Sequence, residues 1–269
     1  MKIKNHILED TVFKKSPNHS GNNIIKEIDT IVIHYTAGSS AESSINVLCN
    51  PNTKASAHVV VAQDGAITQL VPFNIKAWHA GKSHHHNRVG MNSYSIGIEI
   101  DNPGRLTKAG NKYISWFGRE YPENRTIEAK HANEDFLSFW HTYSEEQINS
   151  VFELCEVLSK QYNIKYIVGH DEISPGRKSD PGPAFPIEKI RSQILYPDRN
   201  EDAEEELPDN GEVAVALLNF REKPSGNGEK ITAPLKKGTK VKIENCNGDW
   251  YYVSVSIKGW VMSKYLKTK

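Results

Sequence analysis

The chain of 269 residues carries 33 Lys and Arg against 33 Asp and Glu, with 38% hydrophobic and 25% charged residues. That is the composition of an ordinary globular protein, long enough for one large domain and a small one, and zero formal charge excludes a chain-wide polycation built for nucleic acid or an anionic membrane. Cys49, Cys155 and Cys246 are odd in number and widely spaced, which fits reduced thiols and excludes a CxxC metal knuckle.

In chain order, the first ten residues lack an apolar core of signal-peptide length, and no run is long and apolar enough to span a membrane. Export by the usual secretory route is therefore not expected. Ser16 to Gly21 is a turn-rich entry. Asp29 to Tyr35 is a β-branched run ending in His34 and followed by the turn-prone Ala37-Gly38-Ser39-Ser40. Glu42 to Leu48 is a short helix candidate stopped by Asn50-Pro51. His58 to Ala62 and Ala66 to Val71 flank Asp64-Gly65, a two-residue hairpin signal, with the triple Val suited to a buried central strand. His58 reads as a packing residue, and His84-His85-His86 as a solvated loop, since three consecutive side chains cannot all face one ion.

Ser95 to Ile100 is a further strand, with Glu99 among apolar neighbours. A carboxylate there is costly unless partnered or protonated, so it is either salt-bridged to a buried Arg or a general base. From Arg105 to about Thr142 the aromatics Tyr113, Trp116, Phe117, Tyr121, Phe136, Phe139 and Trp140 alternate with charges without helical or strand period. This reads as a long ordered insertion over a cleft. Ser144-Glu145-Glu146-Gln147 is a capping box, and Ile148, Val151, Phe152, Cys155, Leu158 and Tyr162 then form the apolar stripe of a helix lying on the sheet. Cys155 on that stripe is inert core. Tyr166-Ile167-Val168 ends a buried strand, and the loop to Pro183 holds His170, Arg177, Lys178 and Asp180 among Pro175, Gly176, Pro181 and Gly182. Pro186 to Leu195 closes the domain as a helix. The order strand, helix, hairpin, strand, helix, strand, helix predicts an α/β fold, a mixed central β-sheet flanked by helices.

His34 and His170 both stand where an apolar strand gives way to a loop, so neighbouring parallel strands would bring them to one sheet edge. Two imidazoles and a carboxylate, with a fourth position left for water, are the ligand set of a catalytic zinc site, and His34, His170 and Asp180 supply it. Each histidine alone is equally well explained as a hydrogen-bonded structural residue. Lys178 could serve an oxyanion or pair with Asp180 or Glu99.

Ile33-His34-Tyr35-Thr36, Ser56-Ala57-His58, Gln63-Asp64-Gly65, Ala77-Trp78-His79-Ala80-Gly81, Asn92 through Ser95-Ile96-Gly97-Ile98-Glu99, and Gly169-His170 through Arg177-Lys178-Ser179-Asp180-Pro181-Gly182-Pro183 occur in this order. Together, from about Ser16 to about Leu195, they resemble the zinc-dependent N-acetylmuramoyl-L-alanine amidases of the type-2 family, relatives of the peptidoglycan recognition proteins. The resemblance implies hydrolysis of the amide between the lactyl group of N-acetylmuramic acid and L-Ala. It further implies Zn²⁺ on His34, His170 and Asp180, Glu99 as the base, Lys178 on the oxyanion side, and substrate contacts from Tyr35, Trp78, His79 and Arg177. A peptidoglycan- or muropeptide-binding protein without activity is the alternative, opposed by the presence of all three candidate ligands and Glu99. The expected location is cytoplasmic, or the cell wall by a non-classical or phage-type route.

Asp198 to Glu212 has eight acidic residues against one Arg and reads as a linker. Val213 to Lys269 then has eleven Lys or Arg and four Asp or Glu, a net of seven positive charges, with short β-rich runs between Gly and Pro. Leu218-Asn219-Phe220-Arg221, Leu235-Lys236-Lys237-Gly238-Thr239 and Gly259-Trp260-Val261 resemble bacterial SH3-like wall-binding modules, implying a small all-β SH3-like barrel. A basic module with exposed aromatics suits an anionic cell-wall polymer, while Trp250 and Trp260 are equally well read as barrel core. The expected domains are 1–197, with the 105–142 insertion, the linker 198–212 and the module 213–269.

Overall fold

The structure is a computed structural model that describes residues 1–24, 27–196, 208–225, 228–247 and 250–256. The chain divides into two compact units, Met1–Ala203 and Glu204–Lys269. The acidic run 201–206 and Gly259-Trp260-Val261 lie outside the described residues.

The larger unit is built on β1 (Thr30–Tyr35), α1 (Ala41–Leu48), β2 (Val59–Val61), β3 (Ile67–Gln69), β4 (Ser95–Ile100), α2 (Glu145–Gln161), β5 (Tyr166–Gly169) and α3 (Ile187–Leu195). The six-stranded sheet runs β5-β1-β4-β2-β3 and ends on the short edge strand Val12–Phe13. Strands β5, β1, β4 and β2 are parallel; β2 and β3 form an antiparallel hairpin. This is the expected mixed sheet with helices on its faces. Strands buried on both faces are apolar at nearly every position, as β1 and β2 are.

Alternation sorts those residues. Ile31, Ile33, Ile96, Ile98, Val59, Val61 and Ile167 point to the face covered by Val151, Leu154, Cys155 and Leu158 of α2 and Ile190 of α3. Val32, Val168, Val60 and Leu70 point to the other face, under Met91, Ile173 and α1. Helix α2 starts at the expected capping box, with Ser144 accepting from the Gln147 amide and the Gln147 side chain accepting from the Ser144 amide. Cys155 is fully buried, and burial pushes its thiol up to about 12, so it is inert core as expected.

Three local expectations are corrected. The β2–β3 connection is not a two-residue turn: Ala62 donates to Ala66, leaving Gln63-Asp64-Gly65 as a three-residue loop. Gly65 there has φ +82, the left-handed residue that this loop length requires. The 105–142 insertion is not irregular. It is a five-stranded antiparallel sheet, in the order Glu120–Tyr121, Lys112–Ile114, Arg105–Ala109, Leu137–His141, Thr126–Lys130. Its period is blurred in the sequence because its strands are short and aromatics occupy both faces, Phe139 on one and Trp140 on the other. His84-His85 is a short strand paired with Arg88-Val89, and His85 and His86 pack on Tyr166, so that run is only partly solvated.

The smaller unit has a three-stranded antiparallel sheet of Asn210–Glu212, Lys240–Asn247 and Trp250–Ser254, and a ribbon pairing Leu217–Leu218 with Leu235–Lys236. Val213, Ala216 and Ile243 are its buried apolar residues among those described. Trp250 is half-buried on the last of these strands. No helix among the described residues is long and apolar enough to cross a membrane.

The first fifteen residues, for which the sequence predicts no secondary structure, are tied down through Gln69. Its fully buried side chain accepts from the Leu8 amide (2.7 Å) and donates to the carbonyls of His6 and Val71 (both 3.1 Å). Gln69→Leu leaves the Leu8 amide and the Val71 carbonyl without these partners, a cost of about 1–3 kcal/mol for each, while the His6 carbonyl keeps the Phe73 amide. Denaturant unfolding of Gln69→Leu is expected to show a loss of at least that size. A midpoint equal to wild type would mean that the N-terminal segment is not held this way.

Candidate metal centre

Register creates the site. In the parallel pairing of β4 on β1, Glu99 stands opposite His34; in that of β5 on β1, Gly169 stands opposite Ile33, so His170 follows at the level of His34. Even-numbered β1 residues face away from α2, which turns His34 to the same side as Val32 and brings Glu99 beside it. His170 opens a single helical turn, His170–Ile173, whose Glu172 carboxylate accepts from the Gly169 amide (2.6 Å). The following loop returns Asp180 to the same point, where the Asp180 carbonyl accepts from the Asp171 amide (2.9 Å).

Three side-chain atoms converge. His34 Nδ1, His170 Nδ1 and Asp180 Oδ2 lie 2.9 Å from one another in all three pairings, and all three residues are buried, at 1%, 2% and 6% exposure. Two imidazole nitrogens and a carboxylate oxygen meeting face to face, with no apolar group between them, are a donor set for one cation. Burial, then the neighbouring His170, pushes His34 down to about 4, so its imidazole is neutral at pH 7. For Asp180 burial opposes ionisation, but the adjoining His170 and His34 imidazoles outweigh it and hold the carboxyl below the usual range. A neutral imidazole and an ionised carboxylate are the ligating forms. The residues fit a metal.

Glu99 is a further sign of chemistry. Its Oε2 is buried without a hydrogen-bond partner. Burial above all, then the Asp180 carboxylate, pushes its acid well above the usual range, with Lys178 pulling the other way. Among the described residues no Arg salt bridge holds it, against that sequence alternative. Lys178 is exposed on the 174–180 loop, its charge felt at both Glu99 and His34.

The other expected site residues are committed within the protein. The Tyr35 hydroxyl lies 2.7 Å from Ser179 Oγ, next to Asp180, and burial pushes it up to about 12. The Trp78 indole N–H donates to Ser20 Oγ, tying strand His19–Ile24 to its neighbour. Arg177 donates to the carbonyls of Ala80 and Lys82 and to Ser174 Oγ, a clamp between two loops. His79 lies behind His34, its Nδ1 3.0 Å from His34 Nε2, because a β-carbon is missing at Gly97 and the ring fills that space. His58 is, as expected, a packing residue: its Nδ1 accepts from the Gly97 amide and its Nε2 donates to the Ile75 carbonyl.

The insertion grips both loops of the site. His131 Nε2 lies 2.9 Å from Asp171 Oδ2, Asn133 donates to the Asp171 carbonyl, and the Tyr143 hydroxyl just after the insertion donates to the Pro181 carbonyl. Trp116 and Arg119 donate to the carbonyls of Ala37 and Ser39, in the loop after His34. His131 and His141 stand outside the donor triad.

Comparison with known proteins fits this arrangement. The profile of the N-acetylmuramoyl-L-alanine amidase family matches residues 25–183. The chain belongs to this amidase family. The profile of the bacterial SH3 domain matches residues 216–267. The chain is 32% identical to Escherichia coli N-acetylmuramoyl-L-alanine amidase AmiD over 182 residues, 64% of this chain and 55% of that one. It is 30% identical to Escherichia coli 1,6-anhydro-N-acetylmuramyl-L-alanine amidase AmpD over 140 residues, 51% of this chain and 57% of that one. The chain thus spans somewhat over half the length of these curated relatives. A crystal structure of a selenomethionine AmpD derivative shares the fold, with TM-score 0.52 and 23% identity over 72% of this chain and 99% of that one.

A raised carboxyl pKa favours the folded state below the unfolded value of 4.5 and loses that contribution as pH rises towards the folded value. Metal-free Glu99→Gln is therefore expected to be more stable than metal-free wild type at pH 7–8, with the gap closing towards pH 4. Denaturant midpoints across that range provide the check, and a constant gap would contradict it.

Proposed function

We propose that this amidase hydrolyses the amide bond between the lactyl group of N-acetylmuramic acid and the L-Ala of the stem peptide in peptidoglycan or muropeptides, using Zn²⁺ on His34, His170 and Asp180. The convergence of those three donors beside a buried, unpaired Glu99 carries the reading. Bound there, zinc supplies Lewis acidity and lowers the pKa of a water towards about 7. Glu99 takes the proton from the attacking water and delivers it to the departing L-Ala amine, a role suited to a carboxylate whose acid form is stabilised by burial. Lys178, whose charge reaches both Glu99 and His34, neutralises the developing oxyanion on the lactyl carbonyl. No Ser or Cys nucleophile is required; Cys155 is buried in the core.

Residues 1–197 form the catalytic part. The basic stretch 213–269, with Tyr251 and Tyr252 exposed at 53% and 69%, holds the enzyme on an anionic cell-wall polymer.

The test follows release of L-Ala amino termini from purified sacculi and from soluble muropeptides, with zinc content measured beside it. Wild type is expected to hold one zinc per chain and to release termini, to lose both on chelation, and to regain both with added zinc. Glu99→Gln is expected to keep zinc and lose activity, and Lys178→Met to lose about 10²–10³ in kcat. Zinc binding without released termini from either substrate would leave a muropeptide-binding protein in place of the enzyme.

Removal of 198–269 is expected to weaken sedimentation with sacculi while leaving turnover of soluble muropeptides intact. Equal sedimentation would refute the wall-binding role.

A further inference from the structure

The two imidazoles of the metal centre depend on one dipeptide. His170 Nε2 lies 3.1 Å from the carbonyl of Ala80, and a carbonyl can only accept. Arg177 Nη2 lies 3.3 Å from the same nitrogen, but its two hydrogens go to the closer oxygens of Ser174, Lys82 and Ala80, so His170 carries its proton on Nε2 and presents a bare Nδ1 to Asp180 and His34. His34 takes its orientation from the preceding residue, His79, 3.0 Å from its Nε2.

The proton positions there follow from the far end of the chain of bonds. Ser95 Oγ donates its only hydrogen to the Met91 carbonyl, at 2.6 Å. Towards His79 Nε2, 3.4 Å away, it can then only accept. His79 is thereby protonated on Nε2 and bare on Nδ1, so His34 donates from Nε2 and keeps its own Nδ1 bare. Both imidazoles end with the lone pair on the atom that faces the donor triad.

The dipeptide is itself clamped. Asn92 Oδ1 accepts from the backbone amides of His79 (3.1 Å) and Ala80 (2.7 Å). Two N–H groups pointing at one oxygen also fix which end of that side chain faces them. Gly97 leaves the room that the His79 ring occupies. We propose that His79-Ala80, clamped by Asn92, is the outer brace of the metal centre, with His79 a positioning residue that fixes the ligating tautomer of His34. This rests on the zinc reading above. Outer partners of this kind typically change metal affinity about 10–100-fold.

The experiment compares His79→Asn, which keeps an acceptor near Nδ1, with His79→Leu, which fills the space without one. Asn92→Asp, which keeps an acceptor for both amides, is compared with Asn92→Ala. Imidazole ¹⁵N correlation spectra of the full-length metal-free proteins read the His34 tautomer, and competition with a chelator reads zinc affinity. Expected are an Nε2–H tautomer and near-wild-type affinity in His79→Asn and Asn92→Asp. His79→Leu and Asn92→Ala should show a mixed tautomer and affinity about 10–100-fold weaker. If His79→Leu keeps the Nε2–H tautomer and wild-type affinity, the brace is refuted, because filling the space was then enough. If His79→Leu does not fold, the Asn92 pair decides: equal affinity in the two refutes the proposal, and a gap supports it. If wild type itself binds no zinc, the zinc reading fails, and a His34 found in the Nδ1–H form refutes the brace separately.

Discussion

The in-phase parallel pairing of three strands is the constraint on which the site depends. With Glu99 level with His34 and Gly169 level with Ile33, two imidazoles and a carboxyl arrive at one sheet edge. A slip of one residue would turn His34 into the apolar layer under α2 and replace it with Ile33. What prevents the slip lies away from the chemistry: Ile31 and Ile33 fill one face and Val32 the other, so the phase of the strand is set by packing. Core and site are specified by the same alternation.

That placement creates an electrostatic burden which the surrounding groups meet unequally. Asp180 Oδ2 lies against two imidazole nitrogens, while Glu99 Oε2 has no partner among the described residues. A buried carboxyl left in this state is tolerated only with support from the rest of the fold. Here the support is the uninterrupted apolar layer between sheet and helices, together with loops fixed by backbone hydrogen bonds. A cation among the three donors would relieve the burden directly.

The loops that complete the site are short of apolar residues and cannot hold themselves. Arg177 fastens one to the Ala80–Lys82 segment, and His131, Asn133 and Tyr143 fasten the loop carrying Asp180 from the other side. Trp116 and Arg119 hold the loop after His34. The inserted sheet thus braces both flanks of the centre.

Much of this was legible in the sequence. The β-branched run ending in His34, the capping box at Ser144 and the apolar stripe of α2 are local signals, and each states its own element type through propensity and period. The candidate triad followed from two histidines at strand ends and from ordered motifs. The inserted sheet was missed because its strands are short and carry aromatics on both faces, so period two is blurred. The Trp78-His79 pair in a loop says nothing of which way the imidazole turns. Its direction is set by the hole at Gly97 and by Ser95 and Asn92, residues remote in sequence until β4 pairs with β1. Composition, period and residue type determined the elements and the chemistry available. Only the tertiary structure decided which nitrogen faces which partner, because a hydrogen bond's direction depends on the three-dimensional position of both its ends.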